Sequence, residues 1–497
     1  MPELLQHIRG AGLLIVPEII LLLGVCVLFL VGPMLVTDAG EAPAGLRKGW
    51  GLFSLVTLIV AGAAWWQLGL QPAEHGLFQS DALLWYVRGL TLVGGGLLAL
   101  VLWNQIDDGH SAEAYACLLS IIAGTSLVAA ANDLVTLFLA LELVSIPTYV
   151  ILYLGRRDRI GGEATLKYFL LSIFSSALVL YGMSWVYGVA GSTNFGAIRV
   201  VLENRNPHAG EGMLELAFAL LLAGLCFRIA AVPFHFYAPD VFQGTTASNA
   251  ALLSLIPKIV GFVALMRVIP LSGATVGGPQ WLLETDAKQL VALIAVVTMF
   301  VGNLMALRQK HLFRLMAYSS IAHAGYMLIG LAVGDLLPVG GRQAILFYLA
   351  TYGLMTIGVF ALLIAGGDGD RALQTDDDVR GLSRAKPIVA LMLAICLFSL
   401  TGLPPTAGFL GKLYLFFAAW GEDTHIGHGL AICLAINAAI SAYYYLRLVA
   451  LMFLEPATRP ASLHAPVAWA SWFAGVACAV ATIALFVTPQ WLWDSIH

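Results

Sequence analysis

The stretch GLCFRIAAVPFHFYAPDVFQG, residues 224–244, begins as an apolar helix and then departs from that pattern. Arg228 interrupts the apolar run, Pro233 follows five residues later, and His235 and Asp240 come soon after. Proline inside a helix removes a backbone donor and breaks or kinks the helix. In a membrane, the carbonyls freed in this way are tolerated only where protein or water satisfies them. We therefore predict a broken helix at Pro233, with polar residues lining an internal cavity.

The composition of the whole chain indicates a membrane protein. Of the 497 residues, 60% are hydrophobic and 11% are charged, whereas soluble domains contain about 25% charged residues. The net charge of −4 is too small to indicate a nucleic-acid partner. The six cysteines lie in apolar runs without a C-x-x-C spacing, which argues against a zinc site, an iron–sulfur cluster and a disulfide framework.

The apolar runs are long enough to cross a bilayer many times. A spanning helix needs about 20 mostly apolar residues, and fourteen candidates begin near residues 11, 50, 82, 113, 133, 163, 214, 248, 287, 312, 342, 387, 427 and 465. The longest polar links, residues 191–213 and 366–386, are too short to fold into a catalytic domain. The sequence thus predicts an all-α polytopic membrane protein, a single transmembrane domain that functions within the bilayer.

The distribution of basic residues predicts the orientation of the chain. Each loop takes the number of the candidate helix that it follows. The odd-numbered loops hold thirteen basic residues: Arg47, Lys48, Arg156, Arg157, Arg159, Arg308, Lys310, Arg314, Arg371, Arg380, Arg384, Lys386 and Arg459. The even-numbered loops and the N-terminus hold six: Arg9, Arg199, Arg205, Arg267, Lys288 and Arg342. Because cytoplasmic loops carry an excess of Lys and Arg, we expect the odd loops to be cytoplasmic and both termini to lie on the opposite side.

A weak internal repeat links two parts of the chain. The segment LAGLCFRIAAVP, ending at Pro233, resembles LAICLFSLTGLP, ending at Pro404, and ATLKYFLLS at residue 164 resembles AILFYLATY at residue 344. Corresponding Pro-interrupted helices in two halves of a chain are typical of a transport site. We expect breaks near Pro233 and near Pro404–Pro405, both buried among other helices. Chance similarity between apolar segments is the alternative explanation of the repeat.

Five charged residues lie inside apolar segments. They are Glu142, Lys167, Arg228, Lys258 and Lys412. Each charge costs about 2.5–3.5 kcal/mol at the centre of a spanning helix, so such residues mark functional sites. The alternative is that Lys167 and Lys412 lie near helix ends and extend to the interface.

Buried lysines suit proton transfer, because desolvation disfavours their charged form and a nearby carboxylate restores it. His235 and His323 (in AYSSIAHAGYMLIGL) are candidates for a link between such sites, since histidine changes charge near neutral pH. The alternative for each histidine is a local hydrogen bond without a direct role. For Glu18, another acid in an apolar run, we favour an interhelical structural role.

Three motifs carry a specific family resemblance. They are V-P-F-H-x-x-x-P-D-V at residues 232–241, A-Y-S-S-I-A-H-A-G-Y at 317–326 and G-x-P-P-T-A-G-F-x-G-K at 402–412. Together they resemble the subunit N family of the proton-pumping NADH–quinone oxidoreductase, respiratory complex I. The similarity extends over essentially the whole chain and distinguishes it from the related antiporter-like subunits L and M.

The resemblance implies an architecture of about fourteen transmembrane helices with two inverted five-helix repeats. Helices 1–3 would occupy residues 1–110, the first repeat (helices 4–8) 111–270, the second repeat (helices 9–13) 271–455, and helix 14 residues 456–497. Helices 7 and 12 would be discontinuous.

The resemblance also implies the role of individual residues. Glu142 matches the family's glutamate of helix 5, and Lys167, Lys258 and Lys412 match its lysines of helices 6, 8 and 12. It implies no cofactor in this chain, since FMN, iron–sulfur clusters and quinone belong to partner subunits. The implied partners are the other membrane subunits of the complex in a bacterial inner membrane.

The sequence departs from the family pattern at two places. Arg228 stands where the family has lysine, and the stretch QGTTASNAALLS after the first break lacks the usual proline. Because arginine does not release its proton in proteins, we expect Arg228 to be a fixed counter-charge that pairs with Glu142 at a nitrogen–oxygen distance of about 4 Å or less, or through a single bridging water. Two alternative functions remain: an antiporter-type cation/proton carrier, and a structural membrane subunit that does not pump.

Overall fold

The computed structural model describes residue 10 and residues 12–36, 42–203, 211–269, 282–333, 340–368, 371–457 and 468–496. Three basic residues used in the orientation argument, Arg9, Arg205 and Arg459, lie outside the described residues, as do the first and last residues of the chain.

The described residues form a bundle of long helices, two of which are broken into halves a and b. The helices are α1 (Val16–Val31), α2 (Leu46–Leu68), α3 (Ala82–Leu102), α4 (Ser111–Ala130), α5 (Leu134–Gly155), α6 (Arg159–Ala190), α7a (Glu211–Arg228), α7b (Ala238–Gly244), α8 (Ala247–Val268), α9 (Leu282–Ala306), α10 (Leu312–Ala332), α11 (Gly341–Gly366), α12a (Pro387–Thr401), α12b (Ala407–Gly421), α13 (His425–Leu454) and α14 (Trp469–Val487).

Shorter elements connect these helices. They are the α-helices Phe195–Glu203, Asp376–Val379, Leu382–Ala385 and Pro489–Asp494, the 3-10 turns Pro33–Leu35 and Asp108–His110, and an antiparallel hairpin of Ala73–His75 with Phe78–Ser80.

The predicted all-α membrane fold is confirmed, and the helices begin close to the predicted residues. Ala82 and Leu312 coincide with their predicted starts, whereas Leu282 begins a helix predicted near residue 287. Within the described residues, twelve helices are long and apolar enough to cross a membrane. If each of the two broken helices also crosses the membrane once, the total is fourteen. This count stays a prediction, as do the inverted repeats.

Burial divides the bundle into inner and outer helices. Helices α4, α8, α10 and α11 are almost wholly buried, whereas the outer helices expose large apolar side chains such as Leu30 and Ile59. A helix that is apolar on all sides belongs in a core or a membrane. The inner helices carry the buried lysine and histidine described below.

Contacts between loops show which loops share a face. Arg314 at the start of α10 pairs with Asp240 in the first turn of α7b at 2.7 Å. Arg156, which follows α5, donates to the carbonyl oxygen of Gln243 at 3.5 Å. The odd-numbered links after α5, α7b and α9 therefore lie on one face of the bundle.

The even-numbered links lie together on the other face. The backbone N–H of Asn132, between α4 and α5, donates to the carbonyl oxygen of Leu77 in the hairpin loop at 2.9 Å. Arg267, near the end of α8, pairs with Asp81 before α3 at 2.6 Å. This alternation agrees with the predicted order of crossings.

Candidate functional site

The first helix break joins α7a to α7b and confirms the predicted interruption near Pro233. Since Pro233 has no N–H, it cannot bond to the carbonyl oxygen four residues earlier, that of Ile229. Lys258 of α8 donates to this oxygen from Nζ at 3.4 Å, and both residues are buried. The ammonium group thus satisfies an acceptor that the break creates.

Other polar groups of the first break also find partners. The hydroxyl of Tyr237 donates to the carbonyl oxygen of Phe227 at 3.0 Å, and the backbone N–H of Val232 donates to Oγ1 of Thr298 in α9 at 3.1 Å. Because an unsatisfied backbone group costs several kcal/mol in a bilayer, these bonds hold the irregular backbone in place.

The second break joins α12a to α12b and confirms the predicted interruption at Pro404–Pro405. Helix α12a ends before Gly402, whose φ of +86° is a left-handed conformation that suits glycine. Lys412 of α12b donates from Nζ to the carbonyl oxygens of Leu400 at 2.9 Å and Thr401 at 2.8 Å. Leu400 precedes Pro404 by four residues, as Ile229 precedes Pro233.

The expectation that both breaks are buried is wrong for the prolines themselves. Pro233, Pro404 and Pro405 are exposed at the surface of the chain, while Ile229 and Leu400 are fully buried. A proline ring is apolar and has no N–H, so it faces lipid or another subunit without a hydrogen-bond cost. The freed carbonyls need donors and therefore face the interior.

The predicted ion pair between Arg228 and Glu142 is present. Nη2 of Arg228 lies 3.1 Å from Oε1 of Glu142, with 7% and 23% of the side chains exposed. Arg228 also donates to the hydroxyl of Ser145 at 2.7 Å, and the hydroxyl of Ser176 donates to Glu142 at 2.5 Å. The opposite charges and the hydrogen bonds from the two serines offset the cost of removing both charged groups from water.

Lys167 and Asp240 form a second charged cluster, at the face that carries the odd-numbered links. Lys167 contacts Asp240 at 2.9 Å and Glu163 at 2.8 Å, and Asp240 also pairs with Arg314. A cavity of about 200 Å³ lies against Lys167, Glu163 and Asp240. The Lys167 side chain is 41% exposed, which agrees with the alternative that it lies near a helix end.

His323 lies at the centre of the inner helices and is fully buried. Nδ1 is 2.7 Å from the hydroxyl of Tyr348, and Nε2 is 3.2 Å from the hydroxyl of Tyr445. The ammonium group of Lys258 lies 5.7 Å from the ring of Tyr352, and that of Lys412 lies 5.0 Å from the ring of Tyr326. Both rings pack against the imidazole, at 5.1 and 5.4 Å between centroids, so one tyrosine ring lies between His323 and each of the two lysines, Lys258 and Lys412. These three residues form a central row through α8, α10 and α12b.

His235 lies apart from this row. It is half-buried beside the first break. Among the described residues, no hydrogen bond or ion pair joins it to Glu142, Lys258 or Lys412. Its side chain bonds instead to the backbone of Pro233 at the break.

The sequence did not predict the partners of two buried residues, Glu18 and His323. Arg88 lies in an apolar run, which is the signal used for the other charges, and it binds the buried Glu18 through two bonds of 2.8 and 3.0 Å. This pair confirms the interhelical role expected for Glu18. Tyr348 and Tyr445 had no comparable signal, because buried tyrosines are common in apolar helices.

Two broken helices that each offer a freed carbonyl oxygen to a buried lysine define a polytopic ion-transport subunit of the antiporter-like class. A family model described as NADH:quinone oxidoreductase/Mrp antiporter, TM, matches residues 131–441. A chain of the Mrp complex from Dietzia is 20% identical to this chain with a TM-score of 0.78, covering 97% of this chain and 96% of that chain, which shows a shared fold.

Sequence relatives identify the family within this class. Subunit N 1 of the NADH-quinone oxidoreductase from Solibacter usitatus is 35% identical over 96% of this chain and 95% of its own length. Subunit N from Rhodospirillum rubrum is 36% identical, with 89% and 88% covered. A chain of respiratory complex I from Thermus thermophilus is 32% identical with a TM-score of 0.78, covering 97% of this chain and 99% of that chain. This chain belongs to the NADH-quinone oxidoreductase subunit N family.

Proposed function

We propose that this chain translocates protons across the membrane as subunit N in the membrane arm of an NADH–quinone oxidoreductase. The observation that carries the proposal is the placement of Lys258 and Lys412. Each is buried, and each donates to the carbonyl oxygen four residues before a helix-breaking proline. Charged groups at membrane depth are costly and mark proton or ion pathways.

In this proposal, Lys258 and Lys412 are the proton carriers and His323 lies between them. Glu142 is the carboxylate of the first site, and Arg228 is its fixed counter-charge, since arginine keeps its proton. Lys167 and Asp240 are supporting residues at the face of the bundle that carries the odd-numbered links. His235 is retained only as a supporting residue beside the break.

Oxidation of NADH and reduction of quinone are assigned to partner subunits. The FMN, the iron–sulfur clusters and the quinone would lie there, and the exposed apolar helices of this chain would contact lipid and the other membrane subunits. The excess of basic residues in the odd-numbered loops supports an orientation with both termini on the periplasmic side of a bacterial inner membrane. The repeat boundaries at residues 111–270 and 271–455 belong to the same proposal.

The test is the double variant Lys258→Ala/Lys412→Ala in the complete complex. NADH–quinone turnover and proton uptake would be measured in membrane vesicles with equal amounts of assembled complex. We expect both rates to fall by about tenfold or more, which corresponds to a barrier increase of at least about 1.4 kcal/mol. Normal pumping by the double variant would favour the structural-subunit alternative.

Two further measurements test the alternative of an antiporter-type cation carrier. If the chain carries cations without the electron-transferring subunits, it would not co-purify with flavin and iron–sulfur subunits, and an imposed sodium gradient would drive proton movement through it. We expect co-purification and no sodium-driven proton movement.

A further inference from the structure

Tyr348 and Tyr445 occupy both ring nitrogens of His323. The Tyr348 hydroxyl lies 2.7 Å from Nδ1, and the Tyr445 hydroxyl lies 3.2 Å from Nε2. The Tyr445 hydroxyl also hydrogen-bonds to Oγ of Ser319. A neutral imidazole has one donor and one acceptor nitrogen, so the three hydroxyls determine which nitrogen carries the proton.

The hydroxyl partners assign the proton to Nε2. Within the described residues, the Tyr348 hydroxyl hydrogen-bonds to His323 alone, so its hydrogen is satisfied only when it donates to Nδ1. Nε2–H then donates to Tyr445, and so does the hydroxyl of Ser319. The Tyr445 hydroxyl donates in turn to that of Tyr444, which donates to Oδ1 of Asn303 at 3.0 Å, so every hydrogen of the network has an acceptor. The opposite arrangement would leave the Tyr348 hydrogen buried without an acceptor, which costs free energy. Tautomers are assigned from such networks.

We propose that Tyr348 is a positioning residue that holds His323 as the neutral Nε2–H tautomer and links this state to helix α12b. While Tyr348 donates to Nδ1, that nitrogen has no lone pair free for an incoming proton. Protonation there requires the hydroxyl to turn away or the ring to move. The inference rests on the proposed proton-transfer function of the Lys258–His323–Lys412 row.

Gly411 connects Tyr348 to the second break. It lies beside Lys412 in α12b, and a Cβ at Gly411 would be 2.3 Å from Cδ2 of Tyr348. The ring of Tyr348 is therefore packed directly against the α12b backbone, in the space that glycine leaves. A shift of α12b would move Tyr348 and so alter its bond to His323.

The test compares Tyr348→Phe with Tyr86→Phe in the complete complex. Tyr86 is a matched control: it is also a buried tyrosine in contact with α11, and its hydroxyl makes one hydrogen bond, to the carbonyl oxygen of Leu346 at 2.9 Å. Both variants lose one buried hydrogen bond, but only Tyr348→Phe changes His323. The measurements are NADH–quinone turnover per assembled complex from pH 5.5 to 9 and the KM for quinone.

We expect the pH profile of Tyr348→Phe to be displaced by about half a unit or more, which corresponds to one net hydrogen bond to a titrating group. Turnover should fall while the KM for quinone stays the same. The Tyr86→Phe profile should superimpose on that of the unmodified complex. Coincident profiles for the two variants would overturn the inference.

Gly411→Ala is a second, independent variant. Its added methyl group displaces the Tyr348 ring without removing the hydroxyl, and we expect a displaced pH profile as well. If Tyr348→Phe fails to assemble, an unchanged profile for Gly411→Ala overturns the inference. Failure of the proposed function is distinct, because the Lys258→Ala/Lys412→Ala complex would then pump normally.

Discussion

The two broken helices use the same device in different electrostatic surroundings. At the first break, Lys258 comes from the neighbouring helix α8 and makes one long bond of 3.4 Å. At the second, Lys412 comes from the second half of the broken helix itself and makes two bonds of 2.9 and 2.8 Å. In both, the acceptors include the carbonyl oxygen four residues before the proline.

The difference lies in the residue five positions before the proline. At the first break this residue is Arg228, which pairs with Glu142, whereas at the second it is Ser399, whose hydroxyl accepts a bond from the N–H of Gly408 at 3.0 Å. Among the described residues, no carboxylate pairs with Lys412. Its positive charge is stabilised by carbonyl oxygens at the C-terminal end of α12a, where the helix dipole is negative.

This comparison shows that each proline break supplies the acceptors, whereas the lysine that meets them comes from a neighbouring helix at the first site and from the broken helix itself at the second. The first site contains an ion pair in addition to its lysine. The second contains a lysine whose hydrogen bonds go to backbone carbonyl oxygens, with the ring of Tyr326 5.0 Å away. Removing a side chain should therefore have different consequences at the two sites.

The largest effect is expected from Lys412→Ala. This variant leaves two buried carbonyl oxygens without their donor, whereas Lys258→Ala leaves one oxygen without its donor. It also removes the charge of the second site, where no carboxylate of the described residues pairs with Lys412. We expect turnover and pumping to fall about tenfold for Lys412→Ala and less for Lys258→Ala. Proton uptake per assembled complex in vesicles measures both, with the exposed Lys48→Ala as the control. Equal losses, or a larger loss for Lys258→Ala, would contradict the comparison.

Variants of Arg228 give the next largest effect. Arg228→Ala leaves Glu142 with Ser176 as its remaining hydrogen-bond partner and removes the compensating charge, so we expect turnover to fall several-fold, roughly 1 kcal/mol. Arg228→Lys restores a cation and should preserve function or improve it. Turnover and pumping of the two variants are the measurements, and an alanine variant that pumps like the unmodified complex would show that the ion pair is dispensable.

The sequence was sufficient for the breaks and for the Arg228–Glu142 pair, because prolines and charges in apolar runs are strong signals. It was not sufficient to predict that Pro233 and Pro404 face the outside of the bundle and not its interior. That direction depends on which side of a helix meets the rest of the bundle, and helices that are apolar all round carry no such pattern. The partners of His323 depend in the same way on how α10, α11 and α13 pack.

A smaller effect is expected from Lys167→Ala. Lys167 is 41% exposed and makes its ion pairs with Glu163 and Asp240, which are also partly exposed. Exposed ion pairs contribute about 0–1 kcal/mol, and Arg314 remains bound to Asp240 in the variant. We expect turnover per complex to fall by less than about twofold. A loss as large as that of Lys258→Ala would place Lys167 in the proton path of the first site.

The smallest effect on turnover is expected from Glu18→Ala, although Glu18 and Arg88 form the most deeply buried ion pair of the described residues, with 1% and 5% of their side chains exposed. The pair joins α1 to α3, and Arg88 also donates to the carbonyl oxygen of Leu14 at 3.0 Å. Its hydrogen-bond partners are in or beside α1, α3 and α4 and not in a broken helix, so we expect its loss to leave proton transfer unchanged. Removing one partner of a buried pair costs about 3–5 kcal/mol, and we expect less assembled complex in the membrane.

Turnover per assembled complex should stay unchanged in Glu18→Ala, whereas Arg228→Ala should lower it. Quantifying the complex by its flavin content separates the two outcomes. If Glu18→Ala lowers turnover per complex as Arg228→Ala does, then burial rather than position beside a break determines which ion pairs matter.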